Sequence, residues 1–99
     1  MYCFKIHETK DGKVIAVCDE YLVGSYLFDN NYSIISEGFY GNKKINEDEF
    51  IKLLEENMHK MNSINIMGKN SVDVAKKIFE DMEIIKVGDK EIPHSILIF

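Results

Sequence analysis

The sequence contains no arginine, and all 12 of its basic side chains are lysine. Bidentate readout of phosphate or guanine uses the planar guanidinium fork, so that mode of nucleic-acid recognition has no residue to work with. Positive charge is also short overall: 17 Asp and Glu against 12 Lys give a formal net charge of −5 and a pI near 5.1. Binding to a phosphate backbone needs clustered positive charge, so direct nucleic-acid contact is disfavoured and a protein partner is expected. There is one proline and no low-complexity tract, so extended disorder is not expected. No apolar run approaches bilayer-spanning length and the N-terminus has no signal-peptide pattern, which points away from a membrane and toward the cytoplasm. Cys3 and Cys18 are the two cysteines and form no Cys-x-x-Cys pair, as suits reduced thiols in that compartment.

What is present is enough for one domain over 1–99, with 45% hydrophobic and 29% charged residues and a core that needs no disulfide. Two β-rich runs flank Asp11-Gly12, a strong hairpin signal. With Asp11-Gly12 as the two-residue loop, His7 stands opposite Ala16, Ile6 opposite Val17 and Lys5 opposite Cys18. Side chains alternate with period two, so Phe4, Ile6, Ile15 and Val17 share a core face. Cys3, Lys5, His7, Val14, Ala16 and Cys18 share the other, with the two cysteines diagonal. Residues 20–24 read as a helical turn ending at Gly24, 29–31 as a turn and 32–36 as a third strand. Phe39-Tyr40 between glycines reads as an irregular loop.

Asn46 and Glu49 form a capping-box pair ahead of apolar residues at helical spacing, which predicts a helix over 47–59 with His59 near its end. A short strand over 64–67, a helix over 71–82 and a strand over 84–87 read as a parallel βαβ unit. After a turn at 88–91, Pro93 introduces a last strand ending at Phe99, at a position where a missing N–H is tolerated. The fold expected is therefore α+β: an N-terminal hairpin plus strand, a βαβ unit and a C-terminal strand, in a mixed sheet with two main helices.

Candidate chemistry is scattered. Cys18 with His7 and Asp19 has the residue types of a nucleophile, base and orienting acid. Against that, cysteine is among the most buried residue types and packs as a small hydrophobe. His94 at a strand end is a second candidate base, or a half-buried histidine tied by a hydrogen bond. Cys18, His7, His94 and Cys3 are acceptable zinc ligands by type but lack diagnostic spacing, so no metal site is assigned and no cofactor is named. Gly68-Lys69 opens a helix and suggests anion binding, yet Ser63 and Asn70 break the P-loop pattern; a plain turn with Asn70 or Ser71 as N-cap competes. Phe39 and Tyr40 suit stacking or protein contact, or simply anchor a loop.

The order Lys5-Ile6-His7-Glu8, Val17-Cys18-Asp19-Glu20, Phe39-Tyr40-Gly41, Met67-Gly68, Val87-Gly88 and Pro93-His94 resembles the archaeal family called domain of unknown function 424. The segment from Gly88 to His94 is longer than the Gly-Gly-x-Pro-His expected there. The resemblance implies a small cytosolic protein and puts His7, Glu8, Cys18, Asp19, Tyr40 and His94 at motif positions, without naming a reaction. Two functional readings stand. One is a protein-binding or adaptor module, in information processing, using the Phe39-Tyr40 loop and the hairpin's polar face. The other is a small enzyme or metal-binding protein using Cys18 with His7 or His94; in either case a homodimer is open.

Overall fold

Tyr2–Thr9 (β1) and Gly12–Asp19 (β2) form the expected antiparallel hairpin in the computed structural model, which describes residues 1–58 and 61–99. The loop falls one position earlier than Asp-Gly chemistry suggests. Lys10 and Asp11 make the turn, and Thr9 stands opposite Gly12. Thr9 Oγ1 accepts from the Asp11 amide at 3.3 Å and donates to the Gly12 carbonyl at 2.8 Å. Gly12, the first residue of β2, takes positive φ, at +144°, and a Cβ there would strike the Met61 carbonyl. Moving the loop by one shifts every cross-strand partner by two, so the faces survive and the opposite numbers change. His7 faces Val14, Ile6 faces Ile15, Lys5 faces Ala16, and Cys3 stands directly opposite Cys18.

A single 3-10 turn, Glu20–Leu22, follows β2. Next comes a two-stranded ribbon, Tyr26–Asp29 (β3) and Asn31–Ile34 (β4), turning at Asn30 with φ +67°. The segment expected as an irregular loop holds a one-turn helix, Glu37–Tyr40 (α1). Ser36 Oγ caps it by accepting from the Phe39 amide, and Gly41 ends it. Lys43–Ile45 (β5) was not foreseen; it pairs with the start of β1. Glu47–Asn57 (α2) begins at the expected capping box: Asn46 Oδ1 accepts from the Glu49 amide at 2.8 Å, and Glu49 Oε1 from the Asn46 amide at 3.1 Å. The expected extension to His59 lies outside the described residues.

Ser63–Met67 (β6), Lys69–Lys76 (α3), Ile85–Val87 (β7) and Ile92–Ile98 (β8) complete the chain. Helix α3 starts two residues earlier and ends sooner than its periodicity suggests. Its last turn tightens, with the Lys77 and Ile78 amides bonding three residues back to Val74 and Ala75. The six-stranded sheet runs β5-β1-β2-β6-β8-β7. Strands β2 and β6 are parallel and the other neighbours antiparallel, so the fold is α+β with a mixed sheet. The β6-α3-β7 unit is parallel, but β8 lies between its two strands.

Helices α2 and α3 cover one sheet face, where Phe50, Leu54, Val72 and Ala75 bury Ile15, Val17, Ile64 and Ile66. Leu22, Ile35 and Tyr40 cover part of the other face, over Ala16, Cys18, Met67 and Ile92. No helix among the described residues is long and apolar enough to cross a membrane.

Asp19 joins these layers. Its carboxylate, 1% exposed, accepts from the Asn70 amide at 3.1 Å, the Ser71 amide at 2.7 Å and Ser71 Oγ at 2.6 Å. It therefore caps α3 from another strand; neither Asn70 nor Ser71 serves as N-cap. Gly68 sits at φ +109°, and a Cβ there would fall 2.5–2.8 Å from the same carboxylate. Asp19→Ala leaves two buried donors and one part-buried donor unpaired and is expected to lower unfolding stability by about 3 kcal/mol, with a smaller loss for Asp19→Asn. Urea titration checks this; a loss near zero for Asp19→Ala would mean that water caps the helix equally well.

Candidate functional site

The sheet's second face brings together most of the candidate residues, and it separates the ones that would need to touch. Cys3, Cys18, Met67, His94 and Ile85 occupy one row across β1, β2, β6, β8 and β7. Met67 lies between Cys18 and His94, so their backbones are about 10 Å apart, two strand spacings. His7 belongs to a different row, with Val14, Ser63 and Ile98. His7 therefore does not meet Cys18, because it is four residues along the strand from Cys3, the residue opposite Cys18. Asp19 points into the helix side and is consumed by the α3 cap.

Cys18 is fully buried and both cysteines are free thiols. Burial pushes the Cys18 thiol up to about 12, with the Asp19 and Cys3 charges acting in the same direction. Burial likewise raises the Cys3 thiol. A nucleophilic cysteine needs the opposite environment, electropositive and partly open.

Each histidine that could serve Cys18 already has a partner. His7 Nε2 donates to the Phe39 carbonyl at 2.8 Å, and its ring stacks on Phe39 with centroids 5.0 Å apart. His94 Nε2 lies 2.9 Å from Asn65 Oδ1, which also accepts from Tyr40 Oη at 2.8 Å. An amide oxygen only accepts, so Nε2 carries the His94 proton. Burial lowers the His94 pKa and raises that of Tyr40, holding both neutral. The Tyr40–Asn65–His94 network was not foreseen. Asn65 sits in a short apolar strand, and no local pattern marks it as the shared acceptor.

Tyr40 is buried, and Phe39 is half-buried beneath His7, so this pair is a lid on the sheet rather than an offered loop. Glu8 is exposed on the other side of β1, opposite Lys13. Lys69 turns away from the helix terminus to Asp73 at 3.3 Å, and Asp19 occupies the amides that a phosphate would need. The expected anion site at Gly68-Lys69 is thus filled from within. Among the described residues no three His, Cys, Asp or Glu side chains come together as a metal site. A cavity of about 560 Å³ beside β1, lined by Lys5, Ile6, Glu37 and Gly38 among others, includes none of the catalytic candidates.

Beyond the lid the same face is uncovered. Ile85, Ile96 and Ile98 are 52%, 55% and 83% exposed, with Val14, Ser63 and the polar edges of His7 and Asn65 around them. Not one of these positions is charged.

A mixed six-stranded sheet with two helices on one face, and a half-covered opposite face, defines a small α+β domain. The chain belongs to the family described as "Protein of unknown function (DUF424)", which matches residues 7–98. The resemblance drawn from motif order thus holds. The fold is similar to the crystal structure of an uncharacterized conserved protein from Methanopyrus kandleri, at 30% identity and a TM-score of 0.78, covering 98% of this chain and 90% of that one. No curated protein matches the chain.

Two measurements test the site chemistry. In a Cys3→Ser variant, iodoacetamide should label Cys18 only in step with unfolding; fast labelling with an apparent pKa below about 8.5 would restore the nucleophile. For His94, the folded pKa lies below the unfolded value near 6.5, so the unfolded chain takes up its proton first as pH falls. The contribution of neutral His94 is intact above that unfolded pKa and is lost as pH drops through the folded one. Stability between pH 7.5 and pH 5 should fall less in His94→Gln than in the parent. An equal fall in urea midpoint would mean that His94 titrates freely.

Proposed function

We propose that this chain is a non-enzymatic protein-binding module whose docking surface is the uncovered half of the sheet. The observation that carries the reading is the exposure of Ile85, Ile96 and Ile98 on β7 and β8, at the end of the face away from its charged residues Lys5 and Lys44, which stand on β1 and β5. In a chain with 29% charged residues, such a face marks contact with apolar protein surface rather than with water. The Phe39–His7 stack and the Tyr40–Asn65–His94 network form its rim, with aromatic and polar edges suited to specificity. Negative net charge and the lack of arginine speak against nucleic acid as the direct partner. Two free thiols fit a cytoplasmic setting. The enzyme reading loses support, since Cys18 is buried and neither histidine reaches it.

Photo-crosslinking in the native host tests the surface. With p-benzoylphenylalanine at Ile96, one discrete adduct with one partner protein is expected, and none with the same residue at Lys52 on α2. Ile98→Asp, at a largely exposed position, should remove the adduct while changing stability by less than about 0.5 kcal/mol. No adduct from position 96, or the same ladder from position 52, would sink the reading.

A further inference from the structure

Three sulfur-bearing side chains stand side by side on the sheet's second face. Cys3 is directly opposite Cys18 on the antiparallel β1–β2 pair, and Cys18 is opposite Met67 on the parallel β2–β6 pair. All three are buried, at 4%, 0% and 6% exposure, and both thiols are free. Leu22, Ile35 and Tyr40 pack over Cys18 and Met67 and keep water from them.

The pairing type separates a disulfide from a bridging ion. In an antiparallel ladder, wide hydrogen-bonded pairs alternate with closer non-hydrogen-bonded ones. The Glu20 amide donates to the Met1 carbonyl at 3.2 Å, and the Lys13 amide turns away from β1 to Asn62 Oδ1. Odd-numbered residues of β1 therefore make the hydrogen-bonded pairs, and Cys3–Cys18 is one of the wide ones. Its Cβ atoms belong at the upper end of the range of about 4.5–5.5 Å for opposite residues, whereas a disulfide wants about 3.8 Å. Two metal–thiolate bonds of about 2.3 Å, end to end, span about 4.6 Å between sulfurs, close to what side chains standing parallel on these strands provide.

The donor set selects the ion. Thiolate and thioether sulfur are soft ligands that favour Cu(I). Zinc in a closed site takes four ligands, and the polar groups nearest this row are committed, His94 Nε2 and Tyr40 Oη both to Asn65. Binding one Cu(I) releases the two thiol protons to solvent and transfers no electron. The bound state keeps one negative charge, and Lys44, paired with Glu20, stands opposite Cys3 on β5 beside it.

We propose that Cys3, Cys18 and Met67 form a sulfur-only Cu(I) site, with the ion bridging the two thiolates and the Met67 thioether as third ligand. Neither His7 nor His94 takes part. The site lies under the lid and does not depend on the docking surface on β7 and β8.

The full chain, reduced and kept free of oxygen, is titrated with Cu(I) in competition with bathocuproine disulfonate. One equivalent should be retained, with only sulfur in the first shell of its X-ray absorption spectrum. Cys3→Ala, Cys18→Ala and Met67→Leu should each lower the affinity at least tenfold. One equivalent should also raise the parent's urea midpoint, because the three ligands are brought together only in the folded chain. A lowered midpoint would mean that the ion traps thiols of the unfolded chain, and it would overturn the proposal. So would no retention, unchanged affinity in any of the three variants, nitrogen or oxygen in the first shell, or Zn(II) held as tightly as Cu(I). If a variant fails to fold, the parent's absorption spectrum and midpoint shift decide the matter.

Discussion

The bonds from the Asp19 carboxylate to the start of α3 fix the geometry on which the rest depends. They join the last residue of β2 to a helix that begins one residue after β6. Strands β2 and β6 are the sheet's one parallel pair, so the same bonds hold the register where antiparallel hairpins cannot. They also explain the glycine at 68, because the carboxylate occupies the space a side chain would take. A buried acid of this kind is tolerated because every oxygen is met by a donor, two of them backbone amides at a positive helix end.

Elements held by local chemistry were the readable ones. Helix α2 is announced by Asn46 and Glu49, which bond each other in the fold as their spacing implies. The faces of the first hairpin were readable because alternation survives a two-residue shift in pairing; its turn was not, since Thr9 and Gly12 set a loop that Asp11-Gly12 did not advertise. Strand β3 was missed because its aromatics face outward and mimic a loop. Helix α1 was hidden by Gly38 and by two aromatics that pack inward. The start of α3 was misread for a different reason: its capping group lies 51 and 52 positions away, beyond any local pattern. The insertion of β8 between β6 and β7 is likewise a tertiary choice.

The candidate site was legible in its residue types and not in its geometry. Sequence singled out Cys18, His7, Asp19, Tyr40 and His94, and each has a definite structural task or partner. Their tasks differ: Asp19 caps, Cys18 fills, His7 supports Phe39, and Tyr40 and His94 share Asn65. What sequence could not indicate was that Asn65 would join two of them, or that the aliphatic residues of β8 would be left bare. Both depend on how far the lid of α1 and the ribbon reaches across the sheet, a matter of tertiary packing and not of local propensity.

The separation between Asp19 and its partners has a consequence for synthesis. At about 5–20 residues per second, a ribosome makes Asp19 roughly 3–10 s before Asn70 and Ser71. Throughout that interval the carboxylate stays hydrated, and β2 lacks the neighbour that covers its inner edge. The β1–β2 hairpin forms on a far faster timescale. The nascent chain therefore presents a ready two-stranded template with an open apolar edge, and it closes only when the segment around Met67 emerges.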